Sequence, residues 1–172
     1  MRPIAKPLLL ILAAILTVAV TRHVVHSHCE IPCGIYGDKT RIALLLEDIQ
    51  TIEKSMTQIA ELQKESPANY NQIVRWVNNK EEHANKIQHV VTQYFMTQRV
   101  KSKPAGDAAH AKYLTQITSL HSMLIHAMKA KQTIDTAHCE HLRKLVQDFS
   151  KAYFSAEDLK HIQEHHKGTG HK

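Results

Sequence analysis

Glycine and proline are scarce, five of each in 172 residues, and aromatic residues make up only 5% of the chain. So few turn-formers leave little scope for the many tight reversals of an all-β fold, and no stretch of apolar/polar alternation reads as a convincing strand. Runs of basic residues are also missing. Lysines and arginines are interleaved with acids on periodic segments, which argues against a nucleic-acid footprint. Neither Glu-x-x-His nor His-Glu-x-x-His occurs, which argues against di-iron carboxylate bundles and zinc proteases. Cysteine is limited to Cys29, Cys33 and Cys139, an odd number too small for a disulfide framework.

The longest apolar run, Leu8 to Val20, falls short of the roughly 20 residues that a membrane span needs. It follows Arg2 and Lys6 and precedes a polar stretch, Thr21 to Ser27, which is the order of a secretory signal. Val25 and Ser27 stand at the small-residue positions before a cut, so residues 1–27 are expected to be removed, leaving a mature chain 28–172 that begins at His28. The leader contains Arg2, Lys6, Arg22 and no acid, so its loss lowers the net charge from +6 to +3. The expected location is exported, periplasmic or extracellular, with no stable membrane association after processing.

Four helical patterns follow. Ile42, Leu45, Leu46, Ile49, Ile52, Met56, Ile59 and Leu62 recur at spacings of three and four after Asp38, a candidate cap, and Ser66-Pro67 ends that helix. A second pattern of about 30 residues starts near Asn69 and runs through Tyr70, Ile73, Val74, Val77, Ala84, Ile87, Val91, Tyr94 and Phe95, with Lys80, Glu81 and Glu82 on its other side. Pro104 and Gly106 break it, and Tyr113, Leu114, Ile117, Leu120, Leu124, Ala127 and Met128 begin a third. Asp135 is a candidate cap for a fourth, with Cys139, Leu142, Leu145, Val146, Phe149 and Tyr153 inside; Ser155 to Asp158 then opens a short extra turn. The expected fold is all-α, an antiparallel four-helix bundle in one domain.

The chemistry is concentrated in His28-Cys29-Glu30-Ile31-Pro32-Cys33-Gly34-Ile35-Tyr36. A cut before His28 frees an α-amine. That amine, the Cys29 backbone nitrogen and the Cys29 and Cys33 thiolates are enough to surround one metal in a plane, with the His28 imidazole at the side. Square-planar nitrogen and sulfur ligation suits Ni(II) or Cu(II) better than zinc. Pro32 fixes one backbone dihedral and Gly34 permits an unusual one, which lets the short chain turn back. Two other readings of the thiols stand beside this: a disulfide between Cys29 and Cys33, and a thiol-redox pair, although no thioredoxin-like alternation surrounds them. His138-Cys139 repeats the dipeptide mid-chain, where no free amine exists, and His161, His165, His166 and His171 form a His-rich tail.

These nine residues resemble the signature of nickel superoxide dismutases, His-Cys-x-x-Pro-Cys-Gly-x-Tyr at the mature amino terminus. The resemblance implies an N-terminal metal-binding hook at 28–36 on a four-helix bundle, an up-down-up-down topology and a homo-oligomer of six subunits. The implied function is conversion of superoxide to dioxygen and hydrogen peroxide by a nickel ion cycling between Ni(II) and Ni(III), with His28, Cys29 and Cys33 as metal ligands. It also makes Tyr36 a gate over the metal's open face and Tyr94 its support, set against an ordinary half-buried tyrosine at 36 and plain core packing at 94. Two polar partners that position the axial imidazole in better-known members are replaced by Ala43 and Asn79, leaving Glu47 or Glu30 as candidates for orienting His28. A thiol, Tyr36 or water remain open as proton donor. The alternative from another class is a secreted nickel- or copper-binding bundle without turnover.

Overall fold

The computed structural model describes residues 36–159. Four long helices form a ring in which each packs on the next: α1 (Asp38–Leu62), α2 (Tyr70–His89), α3 (His110–Gln132) and α4 (Ala137–Tyr153), with α4 closing back on α1. Their directions alternate, because the start of α1 meets the ends of the second and fourth segments through Asp38, Tyr94 and Tyr153, while the start of α4 meets the far end of α1 through Cys139 and Met56. This is the expected all-α antiparallel bundle. Among the described residues there is no strand, and no helix is long and apolar enough to cross a membrane.

The apolar stripe of α1 is buried as its period requires, with Ile42, Leu45, Ile49, Ile52, Met56 and Ile59 inaccessible. On α4, Cys139, Leu142, Val146 and Phe149 face them. Cys139 behaves as a small apolar residue: fully buried, its Sγ lies 3.8 Å from Met56 Sδ, and burial pushes its thiol up to about 11. Arg143 clasps Glu53 through two guanidinium nitrogens and joins the outer edges of the same helix pair.

The second segment departs from its expected pattern at both ends. Its first turns are not covered: Tyr70 is 74%, Val74 56% and Val77 37% exposed, so the apolar face that sequence periodicity assigns to the core has no partner among the described residues. Burial starts at Lys80, which was expected on the solvent side. Lys80 is 3% exposed, and its ammonium donates to the carbonyls of Ala130, Lys131 and Thr133 at 2.8, 2.5 and 3.0 Å. The physical reason is the end of α3: its last carbonyls lack intrahelical donors and carry the negative end of the helix dipole, a site that suits a cation with three N–H groups.

At its other end α2 changes winding. Val90–Arg99 is a π-helix, so the thirty-residue length is as expected but the last third follows a wider spiral. Side chains bond in the matching register, Thr97 Oγ1 to the Thr92 carbonyl and Gln98 Nε2 to that of Gln93, while the Val100 amide reaches the Phe95 carbonyl at 2.8 Å.

Caps also differ in detail. Asn69 caps α2, accepting from the Gln72 amide. Asp38 is not the cap of α1: that position is Gly37, and the Asp38 carboxylate is engaged elsewhere. Asp135 is likewise one residue early, since Thr136 is the cap of α4, although Asp135 Oδ1 accepts from the Ala137 amide. Ser155 and Asp158 bond reciprocally and start the short turn that follows α4.

Candidate functional site

Asp38 is the hub of the site. As the first residue of α1 it points its carboxylate across the end of the bundle, where Arg99 donates to Oδ1 through Nε at 2.8 Å and to Oδ2 through Nη2 at 2.6 Å. Tyr94 Oη donates to Oδ1 at 2.6 Å and Tyr153 Oη to Oδ2 at 2.9 Å. Three segments distant in sequence are thus tied to one carboxylate by charge-assisted hydrogen bonds. Burial alone would raise the Asp38 pKa, but the bonds from Arg99, Tyr94 and Tyr153 outweigh it and hold the carboxyl below its ordinary value. The same geometry acts in reverse on the phenols. Burial first, then the bond to Asp38, pushes Tyr94 up to about 12 and moves Tyr153 in the same direction, so both remain protonated donors.

Tyr36 stands on this hub. The Arg99 guanidinium lies over its ring, 4.1 Å from the centroid, and the Tyr94 ring meets it edge-on at 6.1 Å. Behind Tyr94, Phe95, Phe149 and Tyr153 continue an edge-to-face series into the core. Cation–π contact contributes about 0.5–2 kcal/mol depending on exposure, enough to favour one ring position over free rotation at a residue that is 41% exposed. An open cleft of about 500 Å³ adjoins it, lined in part by Tyr36, Asp38, Lys39, Arg99 and Asp158. Both cations there are paired, Arg99 with Asp38 and Lys39 with Asp158 at 2.7 Å, so their fields largely cancel at the cleft.

The π-helical winding is what brings Tyr94 and Arg99 to the same carboxylate. Five residues of ordinary helix rotate about 500°, leaving side chains at i and i+5 about 140° apart, whereas i→i+5 winding returns them to one face. Sequence periodicity gives Arg99 no role, Tyr153 only a place on the inner stripe of α4 and Asp38 only that of a cap. The one available signal for Arg99 was its spacing of five from Tyr94.

Of the residues singled out from sequence, Tyr36 and Tyr94 are brought together, whereas His28, Cys29 and Cys33 lie outside the described residues, as does Glu30. Among the described residues no group of three or more His, Cys, Asp or Glu side chains is placed to hold a metal ion. The donor set at 28–33, two thiols, an imidazole and the amine that processing would free, suits a borderline divalent metal. Asn79, one of the two substituted positions, donates to Ser55 Oγ at 2.9 Å, and Ala43 is half-buried. A different polar pair bridges the first two helices: His83 Nδ1 and Asp48 Oδ1, 2.7 Å apart. Glu47 is exposed beside it.

A family model described as nickel-containing superoxide dismutase matches residues 23–157, which span both the hook motif and the bundle. The chain belongs to that family. Comparison with curated proteins returned no match, and neither did comparison with solved structures. Membership makes the dismutase an oxidoreductase with nickel as cofactor and superoxide as substrate, and it decides against a metal-binding bundle without turnover.

Proposed function

We propose that the dismutase is exported, that cleavage after Ser27 frees the His28 amine, and that His28, Cys29 and Cys33 hold the nickel. When bound, nickel supplies one-electron exchange by alternating between Ni(II) and Ni(III), so that two superoxide anions and two protons become dioxygen and hydrogen peroxide. The chain's own contribution begins with donor type. Anionic thiolates and a deprotonated Cys29 amide bring electron density that favours the higher oxidation state. Because those groups must lose protons first, metal retention falls as pH drops.

Tyr36 limits what reaches the site. The observation that carries this is the clamp on its ring, with Arg99 above, Tyr94 at the edge and Asp38 holding both. A phenol anchored in this way screens by size, admitting a diatomic anion and opposing larger ones. Since the cations of the adjoining cleft are paired, approach of superoxide is assisted by the modest positive charge of the mature chain as a whole. The uncovered apolar face of Tyr70, Val74 and Val77 supports assembly into a homo-oligomer, six subunits by family resemblance.

The test is intact mass and amino-terminal sequencing of active protein, followed by chemical blocking of the α-amine. A start at His28 and loss of both nickel and activity on blocking are expected. An active enzyme that retains its leader, or keeps its metal after blocking, would overturn the proposal.

A further inference from the structure

Histidines far from the hook in sequence are gathered on the outer face of the α3–α4 pair. His126 Nδ1 and His138 Nδ1 lie 3.2 Å apart, with ring centroids at 5.4 Å, and the exposed His141 ring lies against His126 at 4.7 Å. His138 and His141 are one turn apart on α4, so both face His126 across the helix contact. We propose that His126 and His138 form a second, two-histidine site for a divalent copper- or nickel-class ion, distinct from the hook, with water completing the coordination.

Spacing is the first argument. Two imidazole nitrogens bound in cis positions at about 2.0–2.1 Å from one metal are about 2.9 Å apart at a right angle and about 3.4 Å apart at a tetrahedral one. The observed 3.2 Å falls between those limits. At this separation one Nδ1 donates to the other in the metal-free chain; binding requires both neutral rings to carry their hydrogen on Nε2, so the ring that was the donor changes tautomer and both Nδ1 atoms face the cation. Donor type is the second argument. Neutral imidazoles favour copper and nickel among common divalent ions, and copper(II) stands highest in the affinity order. Partial burial, together with His141, His138 and Lys129 alongside, disfavours a proton on His126 and leaves its imidazole neutral.

Position supplies the third. The donors stand on two helices joined by a short connection, so an ion held between them ties the end of α3 to the start of α4. Binding restricted to the folded state raises stability by mass action. Cys139, the neighbour of His138, is turned inward against Met56 and plays no part.

The experiment uses the full chain freed of metal, with its histidine side chains labelled for NMR, titrated with copper(II) chloride. Paramagnetic broadening of the His126 and His138 ring signals is expected within the first equivalents. His126→Gln and His138→Gln should each bind one equivalent fewer than the parent by calorimetry, with circular dichroism checking that the bundle is intact. Ring signals of His126 and His138 that stay sharp while copper fills only the hook and the His-rich tail would overturn the proposal. So would an unchanged stoichiometry in both folded variants.

Discussion

Replacing Asp38 by alanine tests both the architecture of the site and the role given to Tyr36. The change removes the acceptor of four hydrogen bonds, two from Arg99 and one each from Tyr94 and Tyr153, and leaves a guanidinium and two phenols without it. Stripping one partner from a fully buried ion pair costs about 3–5 kcal/mol. Here the side chains are 17% and 25% exposed, and water can reach part of the gap, so about 2–4 kcal/mol is expected. For a domain of this size that is a fall of about 10 °C in Tm, read by circular dichroism, with a lower urea midpoint and an unchanged slope. Asp38→Asn, which keeps the shape and loses the charge, should fall between alanine and parent. Below both unfolding transitions, the nickel-loaded variants should show slower dismutation and weaker discrimination between azide and bulkier anions, because Arg99 no longer fixes the Tyr36 ring. Dismutation and anion selectivity at parental levels in a variant destabilised as expected would refute the positioning argument. A parental Tm would refute the energetic one. The sign with pH also follows: the Asp38 carboxyl is held below its ordinary value, so its contribution is present above about pH 4 and is lost as pH falls through the lowered value.

Lys80→Met keeps the buried stem but orphans the carbonyls of Ala130, Lys131 and Thr133; a loss of about 2–4 kcal/mol in urea unfolding is expected, and a neutral outcome would mean that water caps α3 equally well. In a spectrophotometric titration at 295 nm, two of the five tyrosines should remain un-ionised at pH 11, because Tyr94 is pushed to about 12 and Tyr153 is raised as well. Their hydrogen bonds to Asp38 stabilise the fold fully below pH 10, the ordinary tyrosine value, and that stability drains away as pH rises toward 12. Cys139, with its thiol at about 11 and no accessible surface, should resist alkylation at pH 8 until the bundle unfolds; rapid labelling of the native protein would contradict its burial.

The core stripes of α1 and α4 were legible because their apolar residues keep a 3.6-residue period along the buried face from Ile42 to Ile59 and from Cys139 to Phe149. Periodicity misled where its premise fails. It reports which side of a helix is apolar without saying whether one chain covers it, and so Tyr70, Val74 and Val77 read as core. A lysine reads as solvent-facing until its acceptors, fifty residues away in sequence, are known. Of the candidate site, Tyr36 and Tyr94 were named from the family resemblance, and the structure sets their rings together, whereas Asp38 offers an ordinary local use, capping, that conceals its long-range one. Arg99 was invisible to a 3.6-residue reading because the backbone there does not wind at 3.6.

That winding ties the Asp38 end of the bundle to chain length. Winding all ten residues of Val90–Arg99 as an ordinary α-spiral would swing the arginine about 140° from Tyr94 and away from its carboxylate, whereas an α-spiral one residue shorter between the two would set them about 40° apart and keep the hub. Homologues one residue shorter in this stretch should therefore wind it as plain α-helix and still keep the partners at positions 38, 99 and 153.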